Sequence, residues 1–276
     1  MPGISSLLVG GISIPIAGII LLLARAFFLK GKITVFKSWK LLFSASMFLS
    51  AAVFLWYDSV DRVGASKEGL LAGPLETVAV LILAWLFLKE RLRKGQLVGV
   101  IIALSGFVAA VSSSSSHLDF GLSIPLTFGD LEAILSAFTF AAGVILMTKL
   151  VEKHNSVEVS GASLLISGLI LTSILIMWTP SLHPHVDWIF LLIFSLFPLS
   201  AALLYVVGLS RIGASLTSTI ASSNILFTLL FQLLFRGFGI GTNIPENILL
   251  AFIGGALGVF GIYLIHVQNN LLFRKT

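Results

Sequence analysis

Apolar residues in this chain come in long unbroken stretches, and the polar ones gather in short connections between them. Nine stretches are long enough, or nearly so, to cross a hydrocarbon core of about 30 Å. They are Ile4 to Leu29, Trp39 to Tyr57, Ala65 to Leu88, Gly95 to Val111, Phe128 to Leu150, Val157 to Trp178, Trp188 to Val207, Ala214 to Phe235 and Ile248 to Val267. Alternation at a period of two is absent, and the runs are too long for barrel strands. An all-α polytopic bundle is therefore predicted, because only a helix satisfies its own backbone inside lipid.

Composition agrees with the pattern. At 57% hydrophobic and 11% charged residues over 276 positions, with a mean hydropathy of +1.07, the chain does not describe a water-soluble domain. The net charge of +5 raises the question of nucleic acid, and the placement of the cations answers it. If the first run passes from outside to inside, all of the 17 lysines and arginines except Arg62, Lys67 and Arg236 fall at the inner face. They occupy connections rather than one stripe, so they orient the chain and no nucleic acid is expected. The expectation is a multi-pass protein of the cell membrane, with the N-terminus outside and the C-terminus in the cytoplasm. The first positive charge is Arg25, so the first run lacks the basic start of a signal peptide and is read as a retained helix. With no cysteine, disulfides, thiol catalysis and cysteine metal sites are excluded.

The sequence also repeats. Asp61-Arg-Val-Gly-Ala-Ser66 before the third run matches Ser210-Arg-Ile-Gly-Ala-Ser215 before the eighth, 149 residues on. Gly99-VIIALS-Gly106 matches Gly254-GALGVF-Gly261 at an offset of 155, and the difference fits inside the loop from Gly237 to Asn247. The two Arg-[Val/Ile]-Gly-Ala-Ser turns lie on opposite sides of the membrane by the charge map, so the halves are related by inverted topology. This predicts a first repeat over 1–112 with four helices, an external linker over 113–127 entered through the serine run Ser112 to Ser116, and a second repeat over 128–276 with five.

The segment Leu75-ETVAVLILAWLFLKERLRKGQLVGVIIALSGF-Val108 resembles the C-terminal part of an EamA domain of the drug/metabolite transporter superfamily. A helix carrying an acidic residue ends there in a Gly-Glu-Arg-like signature, here Lys89-Glu90-Arg91, followed by a basic loop and a glycine-spaced helix. Phe128-GDLEAILSAFTFAAGVILMTKL-Val151 resembles the opening of a second such repeat. The resemblance implies two inverted repeats that wall a central cavity, and transport of a small metabolite such as an amino acid or a related amphiphile. Thr77 stands where the family has a proline after the acidic residue, and Phe238 where the second half would carry the signature glutamate. Both departures weigh against a mechanism in which the halves act alike. The family's first helix has no counterpart here, and the expectation is that it is encoded upstream of Met1.

Among the 12 acidic residues, Glu76 alone sits in the middle of a long run, roughly 17 Å from its outer end at about 1.5 Å per residue. A carboxyl at that depth costs several kcal/mol unless it is paired, protonated or facing water, so Glu76 is read as functional. Ala65, Gly69, Ala72 and Gly73 share its face. On the eighth run Thr217, Asn224 and Thr228 share a stripe, with Asn224 the eleventh residue and so near the midplane. In an inverted repeat the substrate site forms at that depth, which makes these side chains candidate walls of one cavity. Trp56, Tyr57 and Tyr205, just ahead of the repeated turns, are candidates to line or gate it. Each has a plainer reading: glycines spaced by four pack helices, Thr and Asn join them, and aromatics near helix ends form the interfacial belt.

Other chemistry is poorly supported. His183-Pro-His185 lies on an external loop with only Asp187 near it, and His117, His154 and His266 fall at the membrane edge, where a solvated imidazole is expected. No metal, cofactor or catalytic residue is assigned, and with no Walker-type glycine loop ATP hydrolysis is not expected. An intramembrane enzyme would need a second acid, base or ligand at the depth of Glu76. The expected function is therefore a secondary carrier working by alternating access, an exporter, coupled to protons through Glu76 or pairing that carboxylate with a substrate amine. The alternative is a noncatalytic scaffold that needs a partner helix. A small molecule and the lipid bilayer are the expected partners, and a homodimer is compatible with the reading.

Overall fold

With no water inside the bilayer, each run must close its own backbone bonds, and the computed structural model shows it doing so. The structure describes residues 6–89, 94–112, 126–178, 188–222, 224–239 and 247–273. Among them are nine α-helices and no strand: α1 (Ser6–Leu23), α2 (Trp39–Val63), α3 (Ala65–Phe87), α4 (Lys94–Ser112), α5 (Phe128–Val151), α6 (Ser156–Trp178), α7 (Trp188–Ala221), α8 (Asn224–Gly237) and α9 (Ile248–Phe273). Six apolar stretches among the described residues, in α1, α2, α3, α5, α6 and α7, are long enough to cross a membrane. The Glu90-Arg91 part of the signature, most of the 113–127 linker and the His183 and His185 loop lie outside the described residues.

Two compact units form, one from residues 1–57 and 142–214, the other from 58–141 and 215–276. Each is discontinuous and draws on both halves of the chain.

In the first unit α1 packs along α6. A side chain at Gly18 would overlap the backbone at Gly161 and Leu165, and one at Gly168 would overlap Pro15. Gly161 in turn lies against Leu21 and Leu22, and Gly11 against Leu171 and Leu175. The contacts run in opposite chain directions, and they are reciprocal: Gly11 and Gly18 of α1 are matched by Gly161 and Gly168 of α6, 150 residues later. Thr172 adds a hydroxyl bond from α6 to the Gly11 carbonyl. A small apolar cluster of Ile14, Leu171 and Leu175 fills the seam, with Val53, Phe54 and Tyr57 of α2 packed on it.

The second unit repeats the device. A Cβ on Gly106 of α4 would stand 2.5 Å from the Gly254 carbonyl and the Gly258 amide of α9, and one on Gly261 would meet Gly99 and Ala103 in the same way. This reciprocal antiparallel crossing is what the Gly99/Gly254 and Gly106/Gly261 match in the sequence encodes. Small residues let the backbones approach closely enough for dispersion and weak polar contacts to hold the pair in lipid. Around the crossing α3 packs on α4, α8 and α9.

The repeated turns are the same turn. Gly64 has φ 86° and ψ 151°, and Gly213 has φ 81° and ψ 174°, a region essentially closed to residues with a Cβ. At Gly64 this ends α2 and starts α3, and at Gly213 it separates two helical segments within Trp188–Ala221, so the eighth run begins a helix apart from that of the seventh. Lys30 (φ 46°) and Lys89 (φ 58°) also take the left-handed conformation, where a Cβ costs roughly 1 kcal/mol.

Helix ends in the second half carry capping boxes. Thr127 and Asp130 exchange hydrogen bonds at the start of α5, and Asn155 and Glu158 serve α6 in the same way: the Asn155 amide donates to Glu158, and its side-chain oxygen takes the Val157 amide. Both carboxylates do more. Lys67 Nζ reaches the buried Asp130 at 2.8 Å, and beside it Arg62 bridges Asp58 at 2.9 Å and the buried Glu132 at 3.1 Å. Glu158, itself buried, accepts from the Thr34 amide at 2.7 Å and the Thr34 hydroxyl at 2.9 Å. The expectation of a solvated His154 is corrected here: its ring lies between the Thr34 and Ser38 hydroxyls at 3.1 and 2.8 Å with a side chain only 8% exposed. The short 3-10 turn Val35–Ser38, packed on α6, brings those hydroxyls over it.

Gly106→Ala should lower the thermal midpoint of the purified protein, at a cost of about 3 kcal/mol because the new methyl meets backbone rather than a movable side chain. Gly69→Ala, where a Cβ meets nothing within 4 Å, should leave it unchanged or raise it slightly. Lys67→Met should destabilise by about 3 kcal/mol by stranding Asp130, and Lys67→Met with Asp130→Asn should recover most of the loss in a double-mutant cycle.

Candidate functional site

Glu76 lies at the middle of α3, half-buried, in a helix whose Leu71, Ala72, Val78, Ala79, Val80, Leu81 and Ala84 are buried. Pro74, two residues earlier, has no amide to give, which loosens the ladder beside the carboxyl. Thr77 takes up the local polarity. Its hydroxyl lies 3.2 Å from the Gly73 carbonyl and 3.4 Å from the Ser218 carbonyl, and it touches the Ser222 hydroxyl. Ser222 Oγ lies 2.9 Å from the Ser218 carbonyl and 3.4 Å from the Gly73 carbonyl. Two hydroxyl protons are thus shared between two carbonyls on two helices, clamping α3 to the end of α7 next to Glu76.

The clamp sits where the eighth run breaks. That run is not one helix: α7 ends at Ala221 and α8 begins at Asn224. Ser218 donates to the Ser215 carbonyl at 3.1 Å, and Ser222 to that of Ser218, the side-chain competition that disfavours a continuing helix. Asn224 is therefore the exposed first residue of α8 rather than a position within a continuous helix. The stripe read through Thr217, Asn224 and Thr228 is divided accordingly. Thr217 is buried on α7, and Thr228 is half-buried on α8.

Glu76, Thr217, Asn224 and Thr228 belong to the second unit, and Trp56, Tyr57 and Tyr205 to the first. The Tyr57 ring lies against Gly10 and the Ile14 cluster, with the Trp56 ring 4.8 Å away and tilted 42°. Trp56 is 42% exposed, and Tyr205 is half-buried. Packing thus accounts for much of the Tyr57 surface. Among the described residues no cluster of three or more histidine or acidic side chains is arranged to hold a metal.

Ser218 and Ser222, and their contact with Thr77, escaped the sequence reading, although a signal was present. The offset of 149 that aligns Arg62 with Arg211 also aligns Gly73 with Ser222 and Gly69 with Ser218. The Gly73 and Ser222 pair meets in the structure, as equivalent positions of an inverted repeat do when they lie beside a local two-fold axis.

No curated protein matches this chain by sequence. A crystal structure, described only as that of a protein, superposes with a TM-score of 0.71 at 18% identity, covering 98% of this chain and 90% of that one, a likeness of fold alone. The model of the EamA-like transporter family matches residues 1–112 and 127–267. Nine apolar helices among the described residues, reciprocal antiparallel crossings and that match together place this chain in the EamA-like transporter family, as a multi-pass membrane transporter of the drug/metabolite type.

Proposed function

We propose that the chain is a secondary carrier that exports a small metabolite such as an amino acid by alternating access, coupled to protons through Glu76. Repeats over 1–112 and 128–276, joined by an external linker at 113–127, supply the two halves. The carrier works in the cell membrane, with its C-terminus in the cytoplasm. The observation that carries the reading is a half-buried carboxyl in the middle of α3, beside a break in the helix that repeats it, in a chain of a transporter family. Irregular backbone at membrane depth is tolerated where it is buried in protein or lines a water-filled cavity, and such breaks commonly form ion and substrate sites.

In this mechanism Glu76 takes a proton or a substrate ammonium when the cavity is hydrated and releases it on the other side. Thr217, Asn224 and Thr228 offer hydroxyl and amide groups to the polar end of the substrate. Thr77 is a positioning residue: it touches no substrate and holds α3 against α7 so that the carboxyl keeps its place.

Counterflow in proteoliposomes tests the reading, with one amino acid loaded at a time and trace label outside. The native chain should accumulate label for at least one substrate, and Glu76→Gln should cut accumulation roughly ten-fold, equivalent to about 1.4 kcal/mol, and flatten its pH dependence. An unchanged pH profile and substrate preference in the variant would remove Glu76 from the mechanism. Silence of the native chain across the panel would favour a scaffold that needs a partner helix. Thr77→Val should lower stability by about 1 kcal/mol and slow counterflow while retaining the pH profile, which separates positioning from proton transfer.

A further inference from the structure

The connection between α1 and α2 is built for something other than joining two helices. After Leu23 the chain widens into a π-helical turn, Ala24–Phe28, closed by the Leu29 amide on the Ala24 carbonyl and the Gly31 amide on the Arg25 carbonyl, both at 3.0 Å. This folds Arg25 back over the loop. Its guanidinium occupies the space a side chain at position 31 would need, so any larger residue there would push it aside. The Arg25 Nε makes no hydrogen bond among the described residues. On either side of Gly31, Lys30 and Lys32 are exposed, and Lys30 keeps its side chain at a left-handed backbone position where glycine is the easier residue.

The inner side of the same loop is pinned. Val35 is fully buried, and Thr34 and Ser38 are tied to Glu158 and His154. The outer side carries Phe27 at 72%, Phe28 at 85% and Trp39 at 61% exposure. No acidic residue occurs between positions 24 and 40, and the buried Glu158 spends its charge on Thr34 and Asn155. A pinned loop whose Arg25, Lys30 and Lys32 make no ion pair among the described residues, set beside exposed aromatics between a span ending at Phe28 and one starting at Val35, suits headgroup depth.

We propose that this loop is a binding site for an anionic phospholipid. The lipid phosphate is held by Arg25, Lys30 and Lys32, and the acyl chains lie on Phe27, Phe28 and Trp39. Arg25 presents a planar fork suited to phosphate oxygens, and each lysine adds a point charge in a region where membrane surface potential already favours it. The aromatic rings distinguish a lipid from free phosphate, which has nothing to lay against them.

Native mass spectrometry of the full chain, released from micelles containing equal phosphatidylglycerol and phosphatidylcholine, tests the site. Phosphatidylglycerol adducts should dominate on the native chain. Lys30→Gln with Lys32→Gln, two exposed changes that leave the core alone, should reduce the preference by roughly five-fold per charge removed, and adding Arg25→Gln should abolish it. Melting in detergent should rise with added phosphatidylglycerol and stay unmoved by inorganic phosphate. An equal preference for the two lipids on the native chain, an undiminished preference in the lysine variant, or full stabilisation by phosphate alone would each overturn the assignment, the last by showing a free-anion site.

Discussion

Two apolar helices gain little by leaving lipid for each other, so a membrane bundle holds together only where backbones approach closely enough for dispersion and weak polar contacts to count. This protein meets that requirement at two reciprocal crossings. In one unit Gly11 and Gly18 of α1 interlock with Gly161 and Gly168 of α6, and in the other Gly99 and Gly106 of α4 interlock with Gly254 and Gly261 of α9. Each crossing pairs a helix with its own repeat in antiparallel sense, so one stripe of small residues serves both partners. At Gly18, Gly106 and Gly261 an added methyl group would meet backbone rather than a movable side chain.

Several buried carboxylates follow a different rule and sit where partners from other segments reach them. Asp130, Glu132 and Glu158 are buried at helix starts, where capping partners and cations from another helix meet them. Along α3 the hydroxyl clamp of Thr77 and Ser222 absorbs two carbonyls beside the Pro74 interruption. Glu76 differs from them in position, a half-buried carboxyl at mid-helix in a chain of a transporter family.

Much of this was legible beforehand. Nine apolar runs, the matched Arg-[Val/Ile]-Gly-Ala-Ser turns and the glycine pairs led to a helical, two-repeat membrane protein of the EamA type, and the family match agrees. Gly64 and Gly213 take one backbone conformation, as a shared motif requires. The errors arose where several weak local forces compete. The run from Ala214 to Phe235 has unbroken apolar periodicity, yet serine hydroxyls turn to carbonyls one turn back and the helix stops at Ala221. His154 was expected in water because it falls at the membrane edge, and the loop from a distant segment covers it.

What the sequence by itself determined is everything that depends on one helix and its solvent: the number of apolar runs, their helical state, the repeat, and the isolation of Glu76. Hydrophobic length and the need to satisfy the backbone are local properties, readable one segment at a time. Only the tertiary structure decided which polar groups meet, from Thr77 with Ser222 to Thr34 with Glu158, and that Arg25 Nε makes no hydrogen bond among the described residues. Those outcomes depend on pairs more than a hundred residues apart, or on a backbone turn of a few degrees, and neither leaves a periodic trace in the chain.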